Sequence, residues 1–126
     1  MVKITMVSVR YLVNDVDEAI TFYTGTLGFT LDQQMGSAFA KIFKGNLELW
    51  LSGPQSSAAR SMPDGRHPEP GGWNRLVLEV KHLPVLVEKL KQTGVLFRND
   101  IVSGPGGKQI LLEDPSGNPI ELFEPT

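Results

Sequence analysis

Two glutamates interrupt apolar runs in this chain. Glu48 lies within Leu47-Glu48-Leu49-Trp50-Leu51, and Glu121 within Ile120-Glu121-Leu122-Phe123. Side chains alternate across a strand with period two, so a covered face holding Leu122 leaves Glu121 and Phe123 on the opposite side. The same parity sets Glu48 beside Trp50. A carboxylate there either meets water on an open sheet face or serves a cavity, where it could act as a general base. Two further strand-like runs, ITMVSVRYLV and WNRLVLEV, carry Ser8 and Arg10, and Arg75 and Glu79, on the parity opposite their apolar sets. A guanidinium near a carboxylate forms charge-assisted hydrogen bonds and makes it a weaker base. Two roles therefore compete for Glu121 and Glu48: catalytic base, or counter-charge to Arg75. Arg75 in turn either pairs with a protein carboxylate or holds an anionic ligand group. Arg10 is a solvated strand residue or a ligand contact. Trp50 and Phe123 are core fillers or an aromatic wall against which a planar ligand stacks.

The elements that must position these residues follow from pattern. Ile4 to Val13 is β-branched and apolar, with Val7, Val9, Tyr11 and Val13 on the parity that packs under a helix. Asn14 or Asp15 offers an N-cap, and Val16, Ala19, Ile20 and Tyr23 follow amphipathic helical spacing until Gly25 and Gly28. Extended chain resumes at Gly28, Ala38 to Lys44 is a strand, and Lys44-Gly45-Asn46 turns into the Glu48 strand. The order then repeats. Trp73 to Val80 is a strand, with Leu76, Leu78 and Val80 on its apolar parity. His82-Leu83-Pro84 starts a helix striped by Leu83, Leu86, Val87 and Leu90 and stopped by Gly94. Val95 to Asn99 is a strand, and a hairpin closes the chain around Asp114-Pro115-Ser116-Gly117-Asn118. Between the repeats, Gly53 to Gly72 holds four of the nine prolines and no periodicity, a loop that is either functional or mobile. Trp73, at its junction, is an anchor or a lid. His67, inside it, is an exposed residue or an acid–base group from a closing loop.

The 126 residues suit one domain, residues 1–126, built of a first module over about 4–52, a loop over 53–72 and a second module over about 73–125. Forty per cent hydrophobic residues is enough for a packed interior, and a net charge of −2 argues against a nucleic-acid partner. No cysteine means no disulfide, no thiolate metal site and no thiol nucleophile. With neither a signal-like opening nor an apolar run of membrane-spanning length, a soluble cytoplasmic protein without a membrane partner is expected. The fold class is α+β: two βαβββ modules whose sheets curl side by side into a cup, with helices on the outer face. Ser8, Arg10, Glu48, Trp50, Arg75, Glu79, Glu121 and Phe123 would line it, and polar groups among aromatics in a concave site point to a small-molecule ligand.

FYTGTLGF after the Asn14-Asp15-Val16 helix start, and EDPSGNPIELFEP at the end of a repeated βαβββ unit, resemble the vicinal-oxygen-chelate superfamily. It includes glyoxalase I, bleomycin-resistance proteins, fosfomycin-resistance enzymes, methylmalonyl-CoA epimerase and extradiol dioxygenases. The resemblance covers nearly the whole chain and implies a homodimer. It also implies a divalent metal held by His, Gln or Glu from each module's first and last strands. Those positions correspond here to Ser8, Glu48, Arg75 and Glu121, of which only the glutamates could ligate. A guanidinium is a permanent cation, so the expectation is no metal and no other cofactor, with Arg75 held by Glu48, Glu121 or both in the metal's place. The implied function is a bleomycin-resistance-like binder of a small organic molecule. The alternative is a superfamily enzyme (isomerase, epimerase, lyase or dioxygenase) using Glu121 or Glu48 with Arg75, or an atypical metal site.

Overall fold

The computed structural model describes residues 1–126, in two compact units, Met1–Pro70 and Gly71–Thr126. The first is a βαβββ module: β1 (Val9–Leu12), α1 (Val16–Gly25), β2 (Thr30–Met35), β3 (Phe39–Lys44) and β4 (Leu47–Ser52). Its sheet runs β1-β4-β3-β2, with β1 parallel to β4 and the other pairs antiparallel. The second repeats the order with β5 (Leu76–Glu79), α2 (Leu83–Gln92), β6 (Val102–Gly104), β7 (Gly107–Glu113) and β8 (Pro119–Pro125), in a sheet running β5-β8-β7-β6. The expected α+β class and repeated modules are thus present, each as a four-stranded mixed sheet.

One face of each sheet is covered. Val16, Ala19 and Tyr23 of α1 are buried, as are Tyr11, Ala40, Ile42, Leu49 and Leu51 on the covered parity of the first sheet. Leu83, Val87 and Leu90 of α2, with Leu76, Ile110, Leu112, Ile120 and Leu122, make the second core. Asp15 is the N-cap of α1, its Oδ1 accepting from Glu18 N at 2.9 Å. At α2 no side chain of the cap residue serves. His82 takes left-handed backbone (φ 55°), and Glu124 of β8 accepts from His82 N at 2.8 Å and Leu83 N at 3.0 Å. These two amides, Leu83 foremost, hold the Glu124 carboxyl below the usual carboxylate range. A carboxylate facing the positive end of a helix dipole is favourable placement.

Two expected strands are shorter or broken. The first begins at Val9 instead of Ile4, leaving Ile4, Met6 and Val7 exposed, so Val7 does not pack under the helix. Register explains part of this: Val9 faces Leu49 and β4 begins at Leu47, so Met6 and the residues before it have no facing strand, whereas Val7 and Ser8 stay out of the ladder although β4 extends opposite them. Val95 to Asn99 makes one isolated bridge, Phe97 to Leu112, before Asn99 Oδ1 replaces a backbone acceptor by taking Leu111 N at 2.9 Å. Pairing with β7 resumes at Val102. The loop after β4 also contains a short 3-10 turn, Ser57–Ala59.

Candidate functional site

On the open face of the first sheet, register sets Arg10, Trp50 and Lys41 side by side across β1, β4 and β3. The Arg10 guanidinium carbon lies 4.9 Å from the Trp50 ring centroid, and Lys41 Nζ lies 4.9 Å from the same centroid. Phe39 meets Trp50 edge-on, with centroids 5.8 Å apart, and Arg10 is 5.9 Å from the Phe39 centroid. Arg10 Nη1 donates to Ser52 Oγ at 3.0 Å, and Ser52 is fully buried. Glu48 Oε1 accepts the Trp50 indole N–H at 2.6 Å. Ser8 is half-buried and precedes β1, outside the ladder, so the expected first-strand position is not in a strand. Lys41, Phe39 and Ser52 escaped sequence reasoning. The period-two pattern of Phe39, Lys41 and Phe43 was their only signal, and it names a face without naming a use.

On the open face of the second sheet, Arg75 precedes β5 and reaches β8. Its Nε and Nη2 donate to Glu121 Oε1 at 3.0 and 2.8 Å, and its Nη1 donates to the Trp73 carbonyl at 3.3 Å. Glu121 is 7% exposed although it stands on the open parity, between Val77 and Leu111 in register. The expected Arg75–glutamate pair thus forms with Glu121. Phe123 is half-buried on the same parity, opposite Gln109 and Glu79. Trp73 is exposed but anchored: Arg98 stacks over its ring at 4.8 Å. Arg98 itself is fixed by Glu113 at 2.8 Å and by the Gly72 and Gly117 carbonyls at 2.8 and 2.9 Å. Asp114 and Asn118 are turn formers, as expected, but buried. Asp114 Oδ1 takes Ser116 N and Asn118 N, and Asn118 Oδ1 takes Gly71 N at 2.8 Å.

His67 is exposed, and its Nδ1 is 2.8 Å from Ser61 Oγ. With Pro68 and Glu69 it borders an open cleft of about 240 Å³ against Leu12, Val13 and Asn14. His82 serves as the cap residue of α2 and points to no ligand set.

A family model described as the Glyoxalase/Bleomycin resistance protein/Dioxygenase superfamily matches residues 5–122. The chain belongs to this superfamily. Among solved structures, this superfamily member is similar to TnmS3, an antibiotic binding protein from Streptomyces sp. CB03234, at 25% identity with TM-score 0.71, covering 100% of this chain and 99% of that one. It is similar to a superfamily member from Sphaerobacter thermophilus DSM 20745 at 25% identity and TM-score 0.74, covering 97% and 98%. Lactoylglutathione lyase from Agrobacterium tumefaciens, at 18% identity, TM-score 0.72 and coverage of 98% and 94%, shares the fold. No curated protein sequence matches the chain.

The residues at the positions implied for a metal do not suit one. Arg75 brings a permanent positive charge, Glu121 Oε1 already accepts two guanidinium N–H groups, Glu48 Oε1 accepts an indole N–H, and a serine hydroxyl is a poor ligand. No group of three or more His, Asp or Glu residues comes together to hold an ion. No helix is long and apolar enough to cross a membrane.

Proposed function

We propose that this superfamily member binds a small planar organic molecule against its open sheet faces without a divalent metal. The observation that carries the reading is the Arg75–Glu121 pair, two N–H groups on one nearly buried carboxylate oxygen, standing where the family's chemistry would call for metal ligands. The Trp50 and Phe123 rings on the open parities supply stacking surface, and similarity to an antibiotic binding protein over the full chain supports a binding role. Ser8, Arg10 and Glu48 are proposed as polar contacts on the open face that carries Trp50, and Arg75 on the one that carries Phe123. A homodimer is part of the proposal; sedimentation as a 13.9 kDa species at every concentration would refute that element.

The test is twofold. Protein incubated separately with Zn²⁺, Ni²⁺, Mn²⁺ and Fe²⁺ and then desalted should carry no stoichiometric metal. Chelator-treated protein should gain thermal stability with planar aromatic compounds, by about 2.7 kcal/mol at a hundredfold excess over Kd. One metal per chain would return the protein to the metal-dependent side of its superfamily.

One observation favours a second reading. Arg75 holds Glu121 by Oε1 alone, leaving Oε2 outside its grip. A metal-independent proton transfer could use Oε2 as base while Arg75 stabilises developing negative charge. Turnover of an enolisable substrate that survives chelator and disappears in Glu121→Gln would favour it over simple binding.

A further inference from the structure

We infer that the open face of the first sheet recognises an acidic group, so that the ligand is a small planar acid (a carboxylate, sulfonate or phosphate carried on an aromatic ring). This rests on the binding reading above and adds the ligand's charge and the residues that read it, Arg10 and Lys41. Arg10, Trp50 and Lys41 form one cross-strand row, and both cationic heads lie 4.9 Å from the same ring centroid. The two positive charges are therefore within about 10 Å of each other, the span of two strand spacings.

Neither forms an ion pair. Arg66, Arg75 and Arg98 each pair with a carboxylate at 2.8 Å, whereas Arg10 and Lys41 pair with none. Glu48, the acid nearest the row in sequence, is engaged by the Trp50 N–H and forms no ion pair with either. Arg10 commits one N–H, Nη1, to the buried Ser52 hydroxyl, which orients the guanidinium and leaves its other donors for a ligand. The Lys41 ammonium donates no hydrogen bond and lies over the Trp50 ring.

A single cation over an indole is an ordinary surface contact worth about 0.5–1 kcal/mol. Two cations and the single Glu48 carboxylate meet at one indole, which leaves a surplus of one positive charge, and an anion bound beside the ring offsets it. With both cations already over the indole, the planar part would stack on the exposed guanidinium plane, and the pre-oriented guanidinium and ammonium supply selectivity for the acid.

The experiment compares two probes with the same ring, 2-naphthoate and 2-naphthamide, by titration calorimetry at low ionic strength. Naphthoate should bind the wild-type protein about tenfold tighter, the equivalent of one charge-assisted hydrogen bond. The advantage should shrink with added salt and disappear in an Arg10→Gln/Lys41→Gln variant. The charge-keeping pair Arg10→Lys/Lys41→Arg should retain a preference for the acid, which separates loss of charge from loss of folding. Equal affinity of the two probes for wild type, or a preference that survives in the Gln variant, would overturn the inference while leaving small-molecule binding standing. Failure of both probes to bind would refute the binding reading and this inference with it.

Discussion

Removing Arg75 should be among the more damaging single changes on the open face of the second sheet. Glu121 is 7% exposed, and the Arg75 side chain is 28% exposed, so the pair is neither a surface bridge nor fully interior. Breaking a buried pair by deleting one partner costs about 3–5 kcal/mol, whereas an exposed pair contributes about 0–1 kcal/mol. With the carboxylate on the buried side and the guanidinium partly hydrated, Arg75→Leu should cost about 2–3 kcal/mol at neutral pH, most of it from stranding Glu121 without a partner. For a domain of this size that lowers Tm by about 10 °C. The companion variant, Arg75→Leu with Glu121→Leu, removes both charges and should lie within about 1 kcal/mol of wild type. Denaturant titrations of wild type, Arg75→Leu, Glu121→Leu and the double variant measure the coupling. An Arg75→Leu protein melting within about 2 °C of wild type, or a double variant as unstable as the two singles combined, would refute the assignment of Glu121 as a carboxylate that depends on Arg75.

Three further outcomes follow from single contacts. Because two backbone amides hold Glu124 below the usual carboxylate range, its contribution to stability is full above that range and is lost as pH falls through the lowered folded value. Wild type should therefore exceed Glu124→Gln in stability at neutral pH and converge with it in acid; a gap that persists in acid would contradict the cap. Asp114→Ala should cost about 3 kcal/mol by denaturant titration, since it leaves Ser116 N, Asn118 N and Asn118 Nδ2 without their acceptor in a buried turn. Gly107→Ala should cost about 2 kcal/mol or more, because φ is +152° and a Cβ would run into the Glu124 carbonyl and the Pro125 Cα. The strain falls on the residue that caps α2, so hydrogen exchange in the first turn of that helix should quicken; unchanged exchange would separate the two effects.

Much of the architecture was legible from periodicity and turn chemistry. The parity of Leu49 and Leu51 against Glu48 and Trp50, and of Ile120 and Leu122 against Glu121 and Phe123, is a local property of extended chain. The Asp15 cap, the Gly94 stop and the Asp114–Asn118 turn likewise depend on residues a few positions apart. Sequence reading overextended the first strand because Ile4 to Val7 have strand-like side chains, while strand formation also needs a facing backbone, and β4 does not reach past Val7 to Ile4–Met6.

Partners were another matter. Sequence alone determined the order of elements, the repeat, and which face of each strand each candidate occupies, since all of these arise from neighbours in the chain. Only the tertiary structure decided that Arg75 grips Glu121, that Glu48 serves the Trp50 indole, that Glu124 caps α2, and that Lys41 joins Arg10 at the same ring. All but the Glu48–Trp50 contact, between residues two apart on one strand, depend on cross-strand register or on contacts across long stretches of chain. Register is set by the packing of whole sheets under their helices, and no short stretch of sequence encodes it.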